Sequence, residues 1–174
     1  HILPHWTWPG REGEVTPVFV YTNYPTAELF INGKSYGKQS KNNSSLKSRY
    51  RLMWMDAVYE PGEAKVVAYN KDGKAVAEKT VRTAGKPHHI ELVSNRNELT
   101  ADGKDLAYVT VKVVDKDGNL CPTDSRLIHF SVKGAGKFRA VANGDPTNLE
   151  QFHLPKMHAF HGMLTAIVQA GEIA

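Results

Sequence analysis

Apolar and polar residues alternate along most of this chain with a period of two, the period of a half-buried β-strand. In VTPVFVYT (15–22), Val18 and Val20 fall on one face and Phe19 and Tyr21 on the other. AELFINGKSYG (27–37) reads as a strand, an Asn32-Gly33 turn and a returning strand, because both turn residues tolerate positive φ. SRYRLMWM (48–55) sets Tyr50, Leu52 and Trp54 on a shared face. EPGEAKVVAYNKDGKAVAEKTV (60–81) predicts a second hairpin around Lys71-Asp72-Gly73, entered through the Pro61-Gly62 turn.

RTAGKPHH (82–89) interrupts the alternation, and Gly85-Lys86-Pro87 makes a short, stiff connector. The predicted modules are therefore 1–85 and 86–174, joined too closely for free domain motion and so expected to touch. The second half repeats the style of the first. HIELVSN (89–95) is a strand, Asp102-Gly103 a turn, and LAYVTVKVVDKDGNL (106–120) a long strand with Ala107, Val109, Val111 and Val113 on one face. RLIHFSVKGAGKFRAVANGDP (126–146) predicts two strands around Gly134 and Gly136, and AFHGMLTAIVQA (159–170) one more. No segment carries a long amphipathic helix. The fold class is all-β, with two consecutive immunoglobulin-like β-sandwich modules. Glu172-Ile173-Ala174 reads as the start of another strand, so the second module is expected to lack its last strand and to present an unpaired edge.

The N-terminus does not fit a frayed chain end. HILPHWTWPG places Trp6 and Trp8 among the first ten residues, and each indole buries about 150–250 Å² when packed. This start and the abrupt end make the sequence look like an excised piece of a longer protein.

Composition narrows the function classes. The 174 residues are 41% hydrophobic and 23% charged, which suits soluble, folded modules rather than disorder. No run reaches the ~20 apolar residues of a membrane span, and no signal peptide is visible. The net charge of +4 comes from scattered lysines and arginines. Their densest stretch, Lys34 to Arg51, reads as a solvated loop and not as the continuous basic face that nucleic acid requires. Cys121 stands alone between Leu120 and Pro122, which excludes an intrachain disulfide and a cysteine-based zinc site and marks it as a small buried hydrophobe.

Candidate chemistry is thin. No G-x-S-x-G elbow is present, and the Gly-Lys-Ser of NGKS (32–35) lies in a hairpin without the glycine a phosphate loop needs. His153, His158 and His161 are close in sequence, but Pro155 and Gly162 oppose the helix that would bring two of them onto one face. His88 and His89, adjacent on a strand, are expected on opposite faces. Asp145 in NGDP fits an Asx turn better than a metal site. Glycoside hydrolysis needs two carboxylates about 5–9.5 Å apart in a groove, and no pair of that kind stands out. No cofactor and no metal site is expected.

Three stretches carry a resemblance. LPHWTWPGREGEVTPVFVYTNYPTAELFINGKSYGK, RYRLMWMDAVYEPGEAKVVAYNKDGK and TVRTAGKPHHIEL resemble the C-terminal accessory regions of bacterial glycoside hydrolase family 2 enzymes of the β-galactosidase kind, many of them from gut Bacteroidetes. Residues 99–170, with the specific VANGDP stretch, resemble the immunoglobulin-like domain that closes such chains. The resemblance implies a non-catalytic fragment: both catalytic glutamates of that family belong to a (β/α)8 barrel, and no position here inherits them. It implies the barrel of the parent chain as partner, a further strand after Ala174, and a periplasmic or extracellular parent enzyme. Ile2, Leu3, Trp6 and Trp8 are then expected to pack partly on the first module and partly on the barrel; the alternatives are that both tryptophans simply plug the core of their own module, or that His5, Trp6 or Trp8 contacts sugar directly. A different function, a carbohydrate-binding module, would use exposed aromatics such as Tyr21, Tyr24, Tyr36 or Trp54, of which Tyr24 is expected to be the better exposed and Trp54 to be core. A cell-surface spacer array is the third reading. Neither nucleic acid nor a membrane is an expected partner.

Overall fold

A computed structural model describes residues 1–172, which form strands, turns and loops with no helix. The chain divides into two compact units, His1–Thr83 and Ala84 onward.

The first unit is a closed two-sheet sandwich. Strands β1 (Ile2–Leu3), β2 (Val18–Val20) and β5 (Leu52–Trp54) form an antiparallel sheet in the order β1-β2-β5. Strands β3 (Thr26–Ile31), β4 (Lys34–Ser40), β6 (Glu63–Tyr69) and β7 (Ala75–Arg82) form another in the order β4-β3-β6-β7. The period-two pattern explains the burial. Ala27, Leu29 and Ile31 of β3 and Ala64, Val66 and Ala68 of β6 point inward to meet Val18, Val20, Leu52 and Trp54 from the opposite sheet. The Trp54 indole also donates to the Gly37 carbonyl at 2.9 Å, so its polar edge is satisfied while its body is buried.

The Asn32-Gly33 turn is as expected, with both residues at positive φ (47° and 82°). Asn32 does more than turn the chain. Its side-chain carbonyl accepts the Glu63 N–H at 2.8 Å and its amide donates to the Pro61 carbonyl at 3.1 Å, so one turn clamps another. Gly62, at φ 134°, leaves room for that amide: a Cβ there would sit 2.1 Å from Asn32 Oδ1.

The second unit is built on a four-stranded antiparallel sheet of β8 (His89–Ser94), β9 (Leu106–Val114), β11 (Gly136–Ala142) and β13 (Met163–Ala170), in the order β11-β13-β9-β8. A short ribbon of β10 (Leu127–His129) and β12 (Lys156–His158) covers part of one face. Ile128 and Met157 from the ribbon pack with Val111, Val113, Val141, Leu164 and Cys121. The cover stops short of β8. Ile90 pairs with Val113 and Leu92 with Val111, so both share the core-facing side of the sheet. Yet Ile90 is 44% and Leu92 64% exposed. The opposite side of β8 carries Glu91, which meets Lys112 at 3.5 Å.

Asp115 anchors the start of this unit. It is buried, and its carboxylate accepts N–H bonds from Gly85 (2.8 Å), Asp117 (2.9 Å) and Asn119 (2.8 Å), plus the Asn119 side-chain amide at 3.0 Å. Burial alone would raise its pKa, but these donors outweigh burial and hold it at about 2.

Several expectations are corrected. Tyr50 does not share a face with Trp54, because β5 begins only at Leu52 and Tyr50 lies in the preceding loop, 66% exposed. Tyr24 is half-buried against the core of the first unit, not an exposed turn residue. Two short strands without a clear alternation, β1 and β12, are additions. The strand expected at Glu172–Ala174 falls mostly outside the described residues, and Glu172 itself lies in a bend.

Candidate functional site

The N-terminal segment resolves into a buried part and a surface part. Pairing of Ile2 with Val20 and Leu3 with Phe19 makes residues 2–3 the edge strand of a sheet. The terminal ammonium adds a 2.7 Å bond to the Tyr21 carbonyl. Inward alternation buries Ile2 and leaves Leu3 half exposed. Trp6 then plugs the sandwich. It is 1% exposed, meets Tyr59 edge-to-face at 5.3 Å, and donates its indole N–H to the Glu60 carbonyl at 3.0 Å. Its own carbonyl accepts the Thr83 hydroxyl at 2.6 Å, which ties the first residues of the unit to its last.

His5 and Trp8 are half-buried beside this plug, with Trp8 packed against the same core. Their rings stack at 4.1 Å with an interplanar angle of 23°, and Trp8 donates its indole N–H to the His5 carbonyl at 2.8 Å. The Thr7 N–H points at His5 Nδ1, 3.3 Å away, so the proton of the neutral ring belongs on Nε2. The Arg11 guanidinium stands 5.5 Å from the Trp8 ring centroid, held in place by Glu14 at 3.0 Å. The parts of this histidine, indole and guanidinium cluster left exposed can pack on another surface or against the C–H face of a sugar.

This cluster contains no acid–base pair. Elsewhere among the described residues, every carboxylate with a resolved shift is held below its ordinary pKa. Glu28 is lowered first by the Ser35 hydroxyl at 2.6 Å, against its burial, with help from the Tyr69 hydroxyl at 3.0 Å and from Lys38. Glu150 would be raised by burial, but the His158 ring at 3.0 Å and the His158 N–H outweigh this. Asp145 is lowered by the Thr147 N–H, the bond that closes the expected Asx turn. A glycosidase acid needs the opposite, a carboxyl raised so that it keeps its proton near neutrality.

The histidines do not converge either. His158 pairs with Glu150, while His161 bonds the Pro122 carbonyl at 3.1 Å and packs against Phe160. No group of three or more metal-ligating side chains occurs among the described residues. His88 and His89 depart from expectation: their Nδ1 atoms lie 3.1 Å apart. Alternation does not apply to them, because β8 starts at His89 and His88 precedes the strand. Cys121 is buried in the second core, and burial pushes its thiol pKa up, as fits an inert hydrophobe.

Comparison with known proteins follows the division into units. Residues 90–174 match the family model described as glycoside hydrolase family 2 C-terminal domain 5, and residues 13–77 match a domain of unknown function, DUF4982. The chain is 44% identical over 170 residues to the beta-galactosidase BoGH2A of Bacteroides ovatus, covering 97% of this chain and 19% of that protein. It is 27% identical over 150 residues to a beta-glucuronidase of Formosa agariphila, covering 85% of this chain and 15% of that protein. The crystal structure of a beta-glycosidase from Bacteroides vulgatus superposes with a TM-score of 0.89 at 34% identity, over 99% of this chain and 21% of that one. The chain thus spans about a fifth of the length of such relatives.

Proposed function

Because the chain belongs to the C-terminal β domains of glycoside hydrolase family 2, we propose that it is a non-catalytic accessory portion of a longer family 2 enzyme and buttresses that enzyme's catalytic barrel. The observation that carries this reading is the coverage: 97% of the chain aligns with only 19% of the beta-galactosidase relative. Most of such a relative lies outside the matched part, and the downward-shifted carboxylates agree with chemistry done elsewhere. In this reading Trp6 stabilises the first unit from within, and His5, Trp8 and Arg11 form the face that meets the barrel. The parent's substrate is a β-galactoside, after the 44% identical relative. A β-glucuronide is the competing substrate, after the more distant one.

The carbohydrate-binding reading finds less support in the aromatics first considered for it. Trp54 is sealed in the core, and Tyr24 and Tyr36 are half-buried against it, which leaves only Tyr21 of those four exposed.

Hydrolysis of chromogenic β-galactoside and β-glucuronide by the full-length parent and by the 174-residue chain, run in parallel, tests the proposal. Turnover by the parent and none by the chain is expected, and reproducible turnover by the chain overturns it. Trp8→Ala in the parent separates packing from sugar contact. Lower thermal stability with unchanged kcat/KM supports the packing face, whereas a raised KM at full stability supports contact with sugar.

A further inference from the structure

The first unit carries a second surface feature that the buttressing role does not use. An open cleft of about 430 Å³ is lined by Tyr21, Thr22, Asn23, Lys41 and Tyr50. Tyr21 is 39% and Tyr50 66% exposed, so two partly exposed aromatic residues border the cleft. Lys41 is the charged residue of its lining, and Glu78, which shares the neighbouring pocket with Tyr21 and Thr22, is paired with Lys65 at 2.8 Å. Between Val15 and Met55 the sole acidic residue is Glu28, whereas the loop from Lys41 to Arg51 alone holds Lys41, Lys47, Arg49 and Arg51. Glu28 is already engaged by Ser35 and Tyr69.

These cations are oriented by neutral groups. Lys41 donates to the Thr22 carbonyl at the cleft wall. Arg51 donates to the Lys47 carbonyl at 3.0 Å and to the Tyr21 hydroxyl at 3.4 Å, and its guanidinium lies over Phe19. Arg49 donates twice to the Asn43 carbonyl and stands 5.8 Å from the Tyr50 ring centroid. Carbonyls and aromatic faces position a cation without neutralising it. The guanidinium of Arg51 has five N–H donors, and these bonds use two. The positive charge is therefore held in place with donors to spare, beside two aromatic faces and an asparagine.

We propose that this cleft binds a carboxylate-bearing sugar, a uronate within an acidic oligosaccharide. A tyrosine face stacks on the C–H face of the sugar ring, Lys41 and Arg51 meet the carboxylate, and Asn23 and Thr22 hydrogen-bond ring hydroxyls. The assignment to a saccharide rests on the family 2 reading; the charge and the geometry do not. A neutral sugar would leave the cations unmatched, and a bare polyanion would leave the tyrosine faces unused.

The test is calorimetric titration of the 174-residue chain, at low salt, with a galacturonic acid trisaccharide and with its carboxyl-reduced, neutral counterpart. Backbone NMR shifts locate the binding. The acidic trisaccharide should bind at least about tenfold more tightly than the neutral one, with shifts centred on residues 21–23 and 41–51. Tyr50→Ala and Arg51→Gln should each weaken it several-fold; Tyr50 is exposed, Arg51 is half-buried, and an unchanged melting temperature of each variant shows that the fold survives. Lys74→Gln, in the turn after β6, should change nothing. Equal binding of the two trisaccharides, no shift at residues 41–51, or equally tight binding of inorganic polyphosphate would each overturn the proposal. None of these outcomes bears on the buttressing role, which is read from turnover by the parent.

Discussion

The two units solve the same problem to different degrees. Both place a four-stranded antiparallel sheet at their centre, and both bury β-branched and aliphatic residues on one side of it. In the first unit a three-stranded sheet and the Trp6 plug cover that side. In the second, a ribbon of two three-residue strands covers Val111, Val113, Val141 and Leu164 but stops short of β8. The inward side of β8 stays open, and Ile90 and Leu92 meet solvent where their register places them in the core. The difference teaches that register, not exposure, tells which side of a sheet is built for burial. An exposed leucine directly opposite a buried valine marks an incomplete layer rather than a polar face.

The sharpest way to break the comparison is to remove the plug. Trp6→Ala should destabilise the first unit by about 3–5 kcal/mol, read as a lower urea midpoint, because it empties a large buried volume. Leu92→Ala, an apolar truncation on the inward side of the other sheet, should stay within about 0.5 kcal/mol. A cost above about 2 kcal/mol for Leu92→Ala would mean the uncovered side is not uncovered.

The anchors of the two units should differ next. Gly62→Ala would force a Cβ against the Asn32 amide at a φ that side chains avoid, and should cost the first unit about 1–3 kcal/mol. Asp115→Ala should cost the second unit about 1.5–3 kcal/mol through lost hydrogen bonds to a charged group. The aspartate also has a pH signature. Its pKa is lowered in the folded state, from 3.8 to about 2, so its contribution is complete above the ordinary carboxylate range and is lost as pH falls through that range toward 2. Urea unfolding between about pH 5 and 2 should show a smaller acid loss for Asp115→Asn than for the parent sequence. Equal slopes would refute the anchor.

The smallest effect is dynamic. Amides of β8 should exchange with solvent faster than those of β3 and β6, which lie inside a sheet and under a complete layer. Leu92→Ser should leave the melting temperature nearly unchanged while lowering self-association of the chain at high concentration. Slower exchange in β8 than in β3 would reverse the ranking of the two units.

Much of this fold was legible in the sequence, and the gaps have physical causes. Alternation located β3, β6 and β9 because one face of each is buried, which forces apolar residues to every second position. The turns were legible because Asn32, Gly33 and Gly73 adopt positive φ at little cost. Strands β1 and β12 were not, since β1 has two residues and β12 a single buried one, Met157, so neither repeats an apolar position. Tyr50 was misplaced for a related reason: alternation was carried past the point where the strand ends and a loop frees the side chain. The candidate site was only partly readable. Trp6 and Trp8 stood out by size alone, but nothing in their spacing tells that one plugs a core and the other stacks on His5. Arg11 was missed as part of that face because its partner is three residues upstream in an irregular turn. The cleft at Tyr21 and Tyr50 was hidden because its walls lie far apart in the chain, although the unbalanced charge of 41–51 was a usable signal.

Asn32 has one more consequence, in the slow chemistry of ageing. An asparagine followed by glycine is the pair most prone to lose its amide nitrogen, because the next backbone nitrogen can swing in to attack the side-chain carbonyl. Here both ends of that amide are engaged, the oxygen by the Glu63 N–H and the nitrogen by the Pro61 carbonyl. The reaction must wait until the turn opens. Conversion at Asn32, followed by mass spectrometry over weeks of storage, thus becomes a clock for how often the first unit unfolds at this corner. Each event would be permanent, since the aspartate or isoaspartate left behind has no N–H to offer Pro61.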